Sequence, residues 1–528
     1  MKRIISILLV VAMVMSIFAG CGKKQNKGAN TLTVGIPLYG NVSDFENNAF
    51  TKYVEEKLGC DLQFVNYVSG SAERMQQLTL QATGGQELPD VFWGWQEISS
   101  VTIGEFGEAG YFQDLTSLID QYADNYKAQF AKLSEEEQEY INSRGTTDDG
   151  GFYAMPLYTG FDYIDHAQNI MYINKTWLDN LGLDVPTNID ELYEVLKAFK
   201  SKDPNGNGTK DEIPMMGRGI ANYVINAYQY YDATYPADVN NGVVSAPYIT
   251  DNYRQALITL NEWCQKGYYS DMSITLSTAN EIKALITPNN GTARVGIWCG
   301  HPLSYTNVAS PILEEYVALA PLADETGSGG YMVVQPQTLM FCGFISKDCE
   351  NTELAMKFLD LFYADESVTR MRHGEKDVDW KYIEAGTAKN ALGDDATFEI
   401  LNTDMKSTNS TWGINGNSIF TSQNYLPAHD EANQSDRLCA EAWEVQKNAK
   451  IKKETIARMD YTDDEMDQRQ KLEGLIISEI SSSRDLFITG EMDPNSDADW
   501  NKYLSSLNEL KLDELMKLFQ TVYDKNYK

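Results

Sequence analysis

The sequence predicts an α/β protein with parallel strands, and three observations lead there. Between residues 31 and 93, short apolar runs alternate with stretches whose apolar residues recur at helical spacing. Glycines stand where those stretches must stop, at Gly59 and at Gly84-Gly85. The 528 residues, 43% hydrophobic, suffice for more than one unit with its own core.

Residues 31–36 read as a buried strand. Phe50, Tyr53, Val54 and Leu58 then share one face of a helix that Gly59 ends. Residues 61–68 form a second strand, 72–82 a helix and 88–93 a third strand. Strand, helix, strand, helix, strand implies a parallel sheet with right-handed crossovers. Open α/β sheets take ligands at the carboxyl ends of their strands, which puts Asp90, Trp93 and Trp95 at a candidate ligand edge. Further on, 152–158 is a short strand interrupted by Pro156, and 170–174 is a strong one. A helix over 175–181 closes at Gly182. Pro186-Thr187 opens the next, with Thr187 as N-cap, Asp190 three residues on, and Leu192, Val195, Leu196 and Phe199 facing the core. Helices follow at 251–264 and 351–363, and strands at 293–298, 316–320 and 339–345. The last hundred residues are mainly helical: Thr462 and Glu465 make a capping box ahead of Leu472, Leu475, Ile476 and Ile480, and 507–523 is a terminal amphipathic helix.

The N-terminus has another purpose. Lys2 and Arg3 precede an apolar run over 4–18 that ends in Phe18-Ala19-Gly20-Cys21, the layout of a secretory signal. The run is too short for a comfortable membrane span. A Cys directly after Ala-Gly resembles a bacterial lipobox, in which residues 1–20 are removed and Cys21 is lipidated; the alternative is an ordinary signal with an incidental cysteine. Residues 21–30 then form a polar tether. The other cysteines, Cys60, Cys264, Cys299, Cys342, Cys349 and Cys439, form no CxxC, and buried thiols are expected rather than a disulfide framework. A net charge of −33 argues against binding nucleic acid or anionic lipid by long-range attraction.

The stretch 203–212 carries side-chain oxygens at every second position: Asp203, Asn205, Asn207, Thr209 and Asp211. Gly206 and Gly208 let the backbone turn tightly enough to gather them. Ca²⁺ takes six to eight oxygens, at about 2.3–2.6 Å. The first nine positions follow EF-hand spacing, but the twelfth is Pro214, so Glu212 is the replacement carboxylate. The competing reading is a polar Asx turn without metal.

Signatures of catalysis are missing. GxxxxGK[ST], GxSxG, HExxH and GxGxxG before a helix do not occur, and His166, His301, His373 and His429 have no metal-ligand spacing. Aromatic residues at loops and strand ends are the better clue: Trp93, Trp95, Tyr158, Tyr163, Trp298 and Trp412, with Asn415 beside the last. Aromatic faces suit the C–H faces of sugars, and amides and carboxylates suit their hydroxyls. Core packing is the alternative for each of these tryptophans.

Together, the lipobox at 18–21, Leu88-Pro89-Asp90-Val91-Phe92-Trp93, the run 171–178, Pro186 to Phe199, the 203–212 loop and the segment from Phe487 through Trp500 to Tyr523 resemble the lipid-anchored solute-binding proteins of carbohydrate ABC importers. The likeness is to the maltose-binding type, and within it to the alginate-oligosaccharide-binding group. It implies two α/β lobes with a hinge and an interlobe cleft, a monomer on the outer face of a bacterial membrane, held there through its lipid alone. It implies an oligosaccharide ligand, ABC permease subunits as partners and a structural Ca²⁺ at 203–212. Lobe 1 would take 31–157 and 301–346, and lobe 2 would take 158–300 and 347–528, with crossings near Tyr158, Trp298 and Ile345. Trp298 and Trp412 would stack on ligand from lobe 2, opposite Trp93, Trp95 and Asp90. Fold does not fix ligand, so a peptide or other small solute stays open as an alternative, as does a secreted carbohydrate-active enzyme.

Overall fold

The computed structural model describes residues 30–527 except 39–41, 97, 99, 148, 161–169, 218, 277, 309, 325, 328, 334–337, 403–408, 413–415, 421–425, 431–433, 453, 455, 457–458 and 460. The signal segment, Cys21 and the tether up to residue 29 lie outside the described residues, as do Tyr163, His166 and Asn415.

The chain forms two compact units. The first runs to Tyr158 and regains the chain over Leu339–Asp379 and Asn402–Ile419; the second holds Thr159–Thr338, Trp380–Leu401 and Phe420–Lys528. The first carries a six-stranded sheet in the order Ser418–Phe420, Met155–Thr159, Thr338–Ile345, Val91–Phe92, Thr31–Pro37, Asp61–Tyr67. The expected parallel core is present: Thr31–Pro37 pairs parallel with Asp61–Tyr67 and with Val91–Phe92. The helix Ala49–Leu58 starts at Asn48, whose side chain accepts from Phe50 N, and stops at Gly59, where φ is 63°. A side chain disfavours that left-handed conformation, and glycine tolerates it.

The second unit is built on a four-stranded sheet in the order Tyr316–Leu319, Met171–Asn174, Val295–Cys299, Ile213–Met216. Leu192, Val195, Leu196 and Phe199 of the helix Ile189–Ser201 are buried on it as expected. The helix Asp463–Thr489 begins with the Thr462–Glu465 capping box and lies along the helix Asp251–Gln265. There Asn261 Nδ2 donates to Phe487 O at 3.0 Å, and Gln265 Nε2 donates to Thr489 O at 2.9 Å.

Three expectations are corrected. The lobe boundaries differ: 301–338 belongs to the second unit, because Tyr316–Leu319 pairs with Met171–Asn174, and the chain does not cross near Trp298. Residues 347–379 and 402–419 belong to the first unit, because the helix Thr352–Leu361 packs on Ala49–Leu58 and Thr116–Tyr122. The cap of Ile189–Ser201 is Asn188, which accepts from Glu191 N, while the Thr187 hydroxyl donates to Glu191 Oε2 at 2.8 Å. The terminal helix is two, Asp497–Glu509 and Leu512–Tyr527, divided at Lys511, where φ is 67°.

Candidate functional site

The aromatic residues expected to line a ligand edge are packed in cores. Trp412 is fully buried in the first unit, not the second, with Phe50, Phe64 and Trp93 at centroid distances of 5.2, 5.4 and 5.3 Å. Its Nε1 donates to Thr51 Oγ1 at 2.8 Å. Trp93 therefore touches Trp412 within one unit instead of facing it from another. Gly416 makes this possible: a Cβ there would stand 1.9 Å from the Trp93 ring. Trp95 is buried against Tyr67, Phe92 and Phe344 and donates from Nε1 to Gly35 O at 3.0 Å. Asp90 is a staple, its Oδ2 accepting from Thr33 N at 2.8 Å and Thr33 Oγ1 at 2.6 Å. Tyr158 is buried and donates to Glu137 Oε1 at 2.9 Å. Trp298, buried in the second unit, stacks on Tyr172 with centroids 4.3 Å apart. The side chains of Asp90, Trp95, Tyr158 and Trp412 thus have structural partners that account for them. Trp93 and Trp298 differ in one respect: each buried Nε1 lacks an acceptor among the described residues.

The 203–212 loop forms in one piece. Gly206 and Gly208 adopt φ of 68° and 78° and turn the chain back on itself. Asp203 accepts from Asn207 N at 3.2 Å and Gly208 N at 2.8 Å, and Asn205 Oδ1 accepts from Asn207 N at 3.0 Å. Asn207 Oδ1 accepts from Thr209 N at 2.7 Å, and Asn207 Nδ2 donates to Asp211 Oδ1 at 3.0 Å. That last bond, with the Arg294 charge, holds the Asp211 carboxyl below its usual range. Arg294 Nε lies 3.0 Å from Asp211 Oδ2, an ion pair without the alignment of a hydrogen bond. Sequence reasoning missed this partner, which stands 83 residues away along the chain.

Glu212 is the exception in the loop. It is 6% exposed, and its Oε1 has no hydrogen-bond partner among the described residues. Burial first, and then the charges of Asp203 and Asp211, push its carboxyl above the usual range. Among the described residues no three carboxylate, imidazole or thiol groups converge as a metal cluster. A cation here would therefore draw on the amide and hydroxyl oxygens of Asn205, Asn207 and Thr209 as well as on Asp203, Asp211 and Glu212. The donor set is all oxygen, as Ca²⁺ requires, and the unpartnered Glu212 oxygen fits a cation ligand.

The cysteines, Cys60, Cys264, Cys299, Cys342, Cys349 and Cys439, carry thiols and form no disulfide. No helix among the described residues is long and apolar enough to cross a membrane.

Two α/β units, each with its own sheet and core, define a two-lobe solute-binding fold. The model of the family described as bacterial extracellular solute-binding protein matches residues 40–369, and the chain belongs to that family. It is 30% identical over 254 residues to the fructooligosaccharide ABC transporter substrate-binding protein FusA of Streptococcus pneumoniae, a match covering 46% of this chain and 45% of that protein. It is 28% identical over 265 residues to the lipoprotein LipO of Bacillus subtilis, covering 47% and 48%. The chain spans about half the length of the curated relatives it matches. Among solved structures, an extracellular solute-binding protein from Bifidobacterium longum subsp. infantis superposes with a TM-score of 0.73 at 20% identity, covering 96% of this chain and 100% of that one. FusA in complex with kestose gives 0.69 at 21%, covering 94% and 99%. These structural likenesses establish the fold.

Proposed function

We propose that this chain is the substrate-binding component of an ABC importer and captures an oligosaccharide for delivery to permease subunits. The observation that carries this reading is the 30% identity to a fructooligosaccharide-binding relative within a matched solute-binding family. In this reading the chain is not an enzyme and works as a monomer on the outer face of a bacterial membrane, anchored by lipid on Cys21. Trp93 and Trp298 stay in the candidate set although both are fully buried, because among the described residues neither indole N–H has an acceptor, a property that Trp177 of the core shares. An unsatisfied buried donor costs about 1–3 kcal/mol, which a sugar hydroxyl or a water would recover. Tyr163 and Asn415 stay in the candidate set. The 203–212 loop is read as a structural Ca²⁺ site, removed from the solute chemistry.

Calorimetry and thermal shift on the full chain test the reading, using fructo-, malto-, manno- and uronide oligosaccharides alongside short peptides. The expected result is saturable binding and a raised melting temperature with one oligosaccharide class, and an unchanged sugar at the end of the incubation. Binding of peptides alone would favour a different solute. Release of shortened products would make the chain an enzyme.

A further inference from the structure

A cavity of 210 Å³ opens within the second unit. One wall begins at Tyr228, the last residue of the helix Ile220–Tyr228, which starts shortly after the strand Ile213–Met216. At about 1.5 Å per residue, that helix puts its end roughly 13 Å from the strand edge where α/β folds take their ligands. The cavity wall at Tyr228 therefore stands away from the carboxyl end of that strand.

Two phenol rings dominate it. Tyr230 and Tyr331 meet edge to face, with centroids 5.6 Å apart and planes at 82°. A lysine lies over each: Lys452 Nζ is 5.0 Å from the Tyr230 centroid, and Lys450 Nζ is 3.9 Å from that of Tyr331. Lys452 also pairs with Asp238, the sole carboxylate among the lining residues, and donates to Asn240 Oδ1 at 3.0 Å. Asp238 Oδ2 in turn accepts from Asn240 Nδ2 at 2.9 Å. Lys452 and Asp238 are thus matched inside the protein, while Lys450 donates to Gly329 O at 3.4 Å and has no carboxylate partner among the described residues. The two tyrosine hydroxyls are unmatched: among the described residues neither bonds a protein group.

Two phenol hydroxyls unpartnered among the described residues and the matched Lys452–Asp238 pair suit the hydroxyl rim of a sugar ring, and the ring surface that the lysines leave uncovered suits its C–H face. Drug-sized ligands occupy pockets of roughly 300–1,000 Å³, so this smaller cavity has room for one ring and not for a chain. Internal neutralisation of Lys452, and a net charge of −33 on the whole chain, disfavour a uronate. We propose that this cavity is a second carbohydrate site that takes a single neutral sugar ring, independently of the site that captures the transported solute. The run Tyr228-Gln229-Tyr230-Tyr231 is its sequence signal, although Tyr331 and Lys452 reach it only through the fold.

Saturation-transfer NMR on the full chain tests the proposal. The probes are the methyl glycosides of glucose, galactose, mannose and fructose, with methyl glucuronide as the charged comparison. At least one neutral glycoside should give transfer, and the double variant Tyr230→Phe with Tyr331→Phe should weaken its binding about tenfold, since the rings stay and two hydrogen bonds go. If the double variant melts lower, the single variants Tyr230→Phe and Tyr331→Phe carry the test, because both side chains are only partly buried. Absence of transfer from every neutral glycoside overturns the proposal. So does transfer that the variants do not change, or that a saturating transported oligosaccharide abolishes. A stronger signal from the glucuronide overturns the neutral-ring assignment. Oligosaccharide affinity should be the same in the wild type and the double variant, and a joint loss would merge the two sites and refute their independence. Failure of every oligosaccharide to bind would overturn the transport reading alone, because this readout is glycoside binding at the two tyrosines.

Discussion

Replacing Trp412 separates a core residue from a sugar platform. Its indole is fully buried, its rings are met at 5.2–5.4 Å by Phe50, Phe64 and Trp93, and its N–H is bonded to Thr51. Trp412→Ala removes the ring and leaves a cavity, which for a buried Trp costs about 3–5 kcal/mol. Trp412→Phe keeps one ring and loses the hydrogen bond, for which about 1–3 kcal/mol is expected. Urea unfolding followed by tryptophan fluorescence reads both. With a slope of roughly 2–3 kcal/mol/M, the alanine variant should lower the first unit's midpoint by on the order of 1–2 M. Calorimetry below the transition should then find the Phe variant binding its oligosaccharide as the wild type does. If Trp412→Phe left the midpoint in place and removed sugar affinity, the packing argument would be wrong and the indole would be a ligand contact after all.

Chelation tests the 203–212 loop. If Ca²⁺ at about 100 times its dissociation constant contributes about 2.7 kcal/mol, a chelator should lower the melting temperature by about 5 °C. Added Ca²⁺ should restore it and Mg²⁺ should not, with solute affinity changed less than stability; identical melting with and without chelator would remove the metal. The thiols give a pH dependence. Burial first, and then Glu55 and Asp61, push the Cys60 thiol up to about 11, so little thiolate is present at pH 8. Iodoacetamide labelling of the folded chain, read by mass spectrometry, should modify half-buried Cys264 first and accelerate at Cys60 about tenfold per pH unit up to pH 11. Rapid modification of Cys60 at pH 7 would contradict that assignment.

The alternation in the first hundred residues was legible because each element is local. Asn48 and Gly59 bound a helix within its own stretch of chain, and the strands on either side pair in parallel as their order requires. The division into units was not legible in the same way. It depends on which strand Tyr316–Leu319 joins, and that partner, Met171–Asn174, lies far back in the chain. The tryptophans misled for a physical reason. Trp93 and Trp412 stand where a ligand edge was expected, but Gly416, just past Trp412, lacks a Cβ so that the Trp93 ring can lie against its backbone. Tryptophan near glycine therefore signals close packing as readily as exposure, and only a neighbour's position decides between them.

The 203–212 loop poses a similar choice between a turn and a cation site, and here one residue decides our reading. An Asx turn accounts for Asp203, Asn205 and Asn207, each of which captures a backbone N–H ahead of it. Arg294 accounts for Asp211 from outside the loop. Neither accounts for Glu212. A turn gains little from a carboxylate that is 6% exposed, has one oxygen unpartnered among the described residues and shares its hydrogen bond with Asp203 beside the like charge of Asp211. Burial and repulsion both work against that placement, and a glutamine or an apolar residue would relieve both. A divalent cation would reverse the sign of each effect, because its charge would offset the repulsion on Glu212 and the unpartnered oxygen would become a ligand beside the amide and hydroxyl oxygens of the loop. Glu212→Gln separates the two explanations. It should raise the melting temperature of the chelated chain and lower that of the Ca²⁺-loaded chain, whereas in a simple turn both would move the same way.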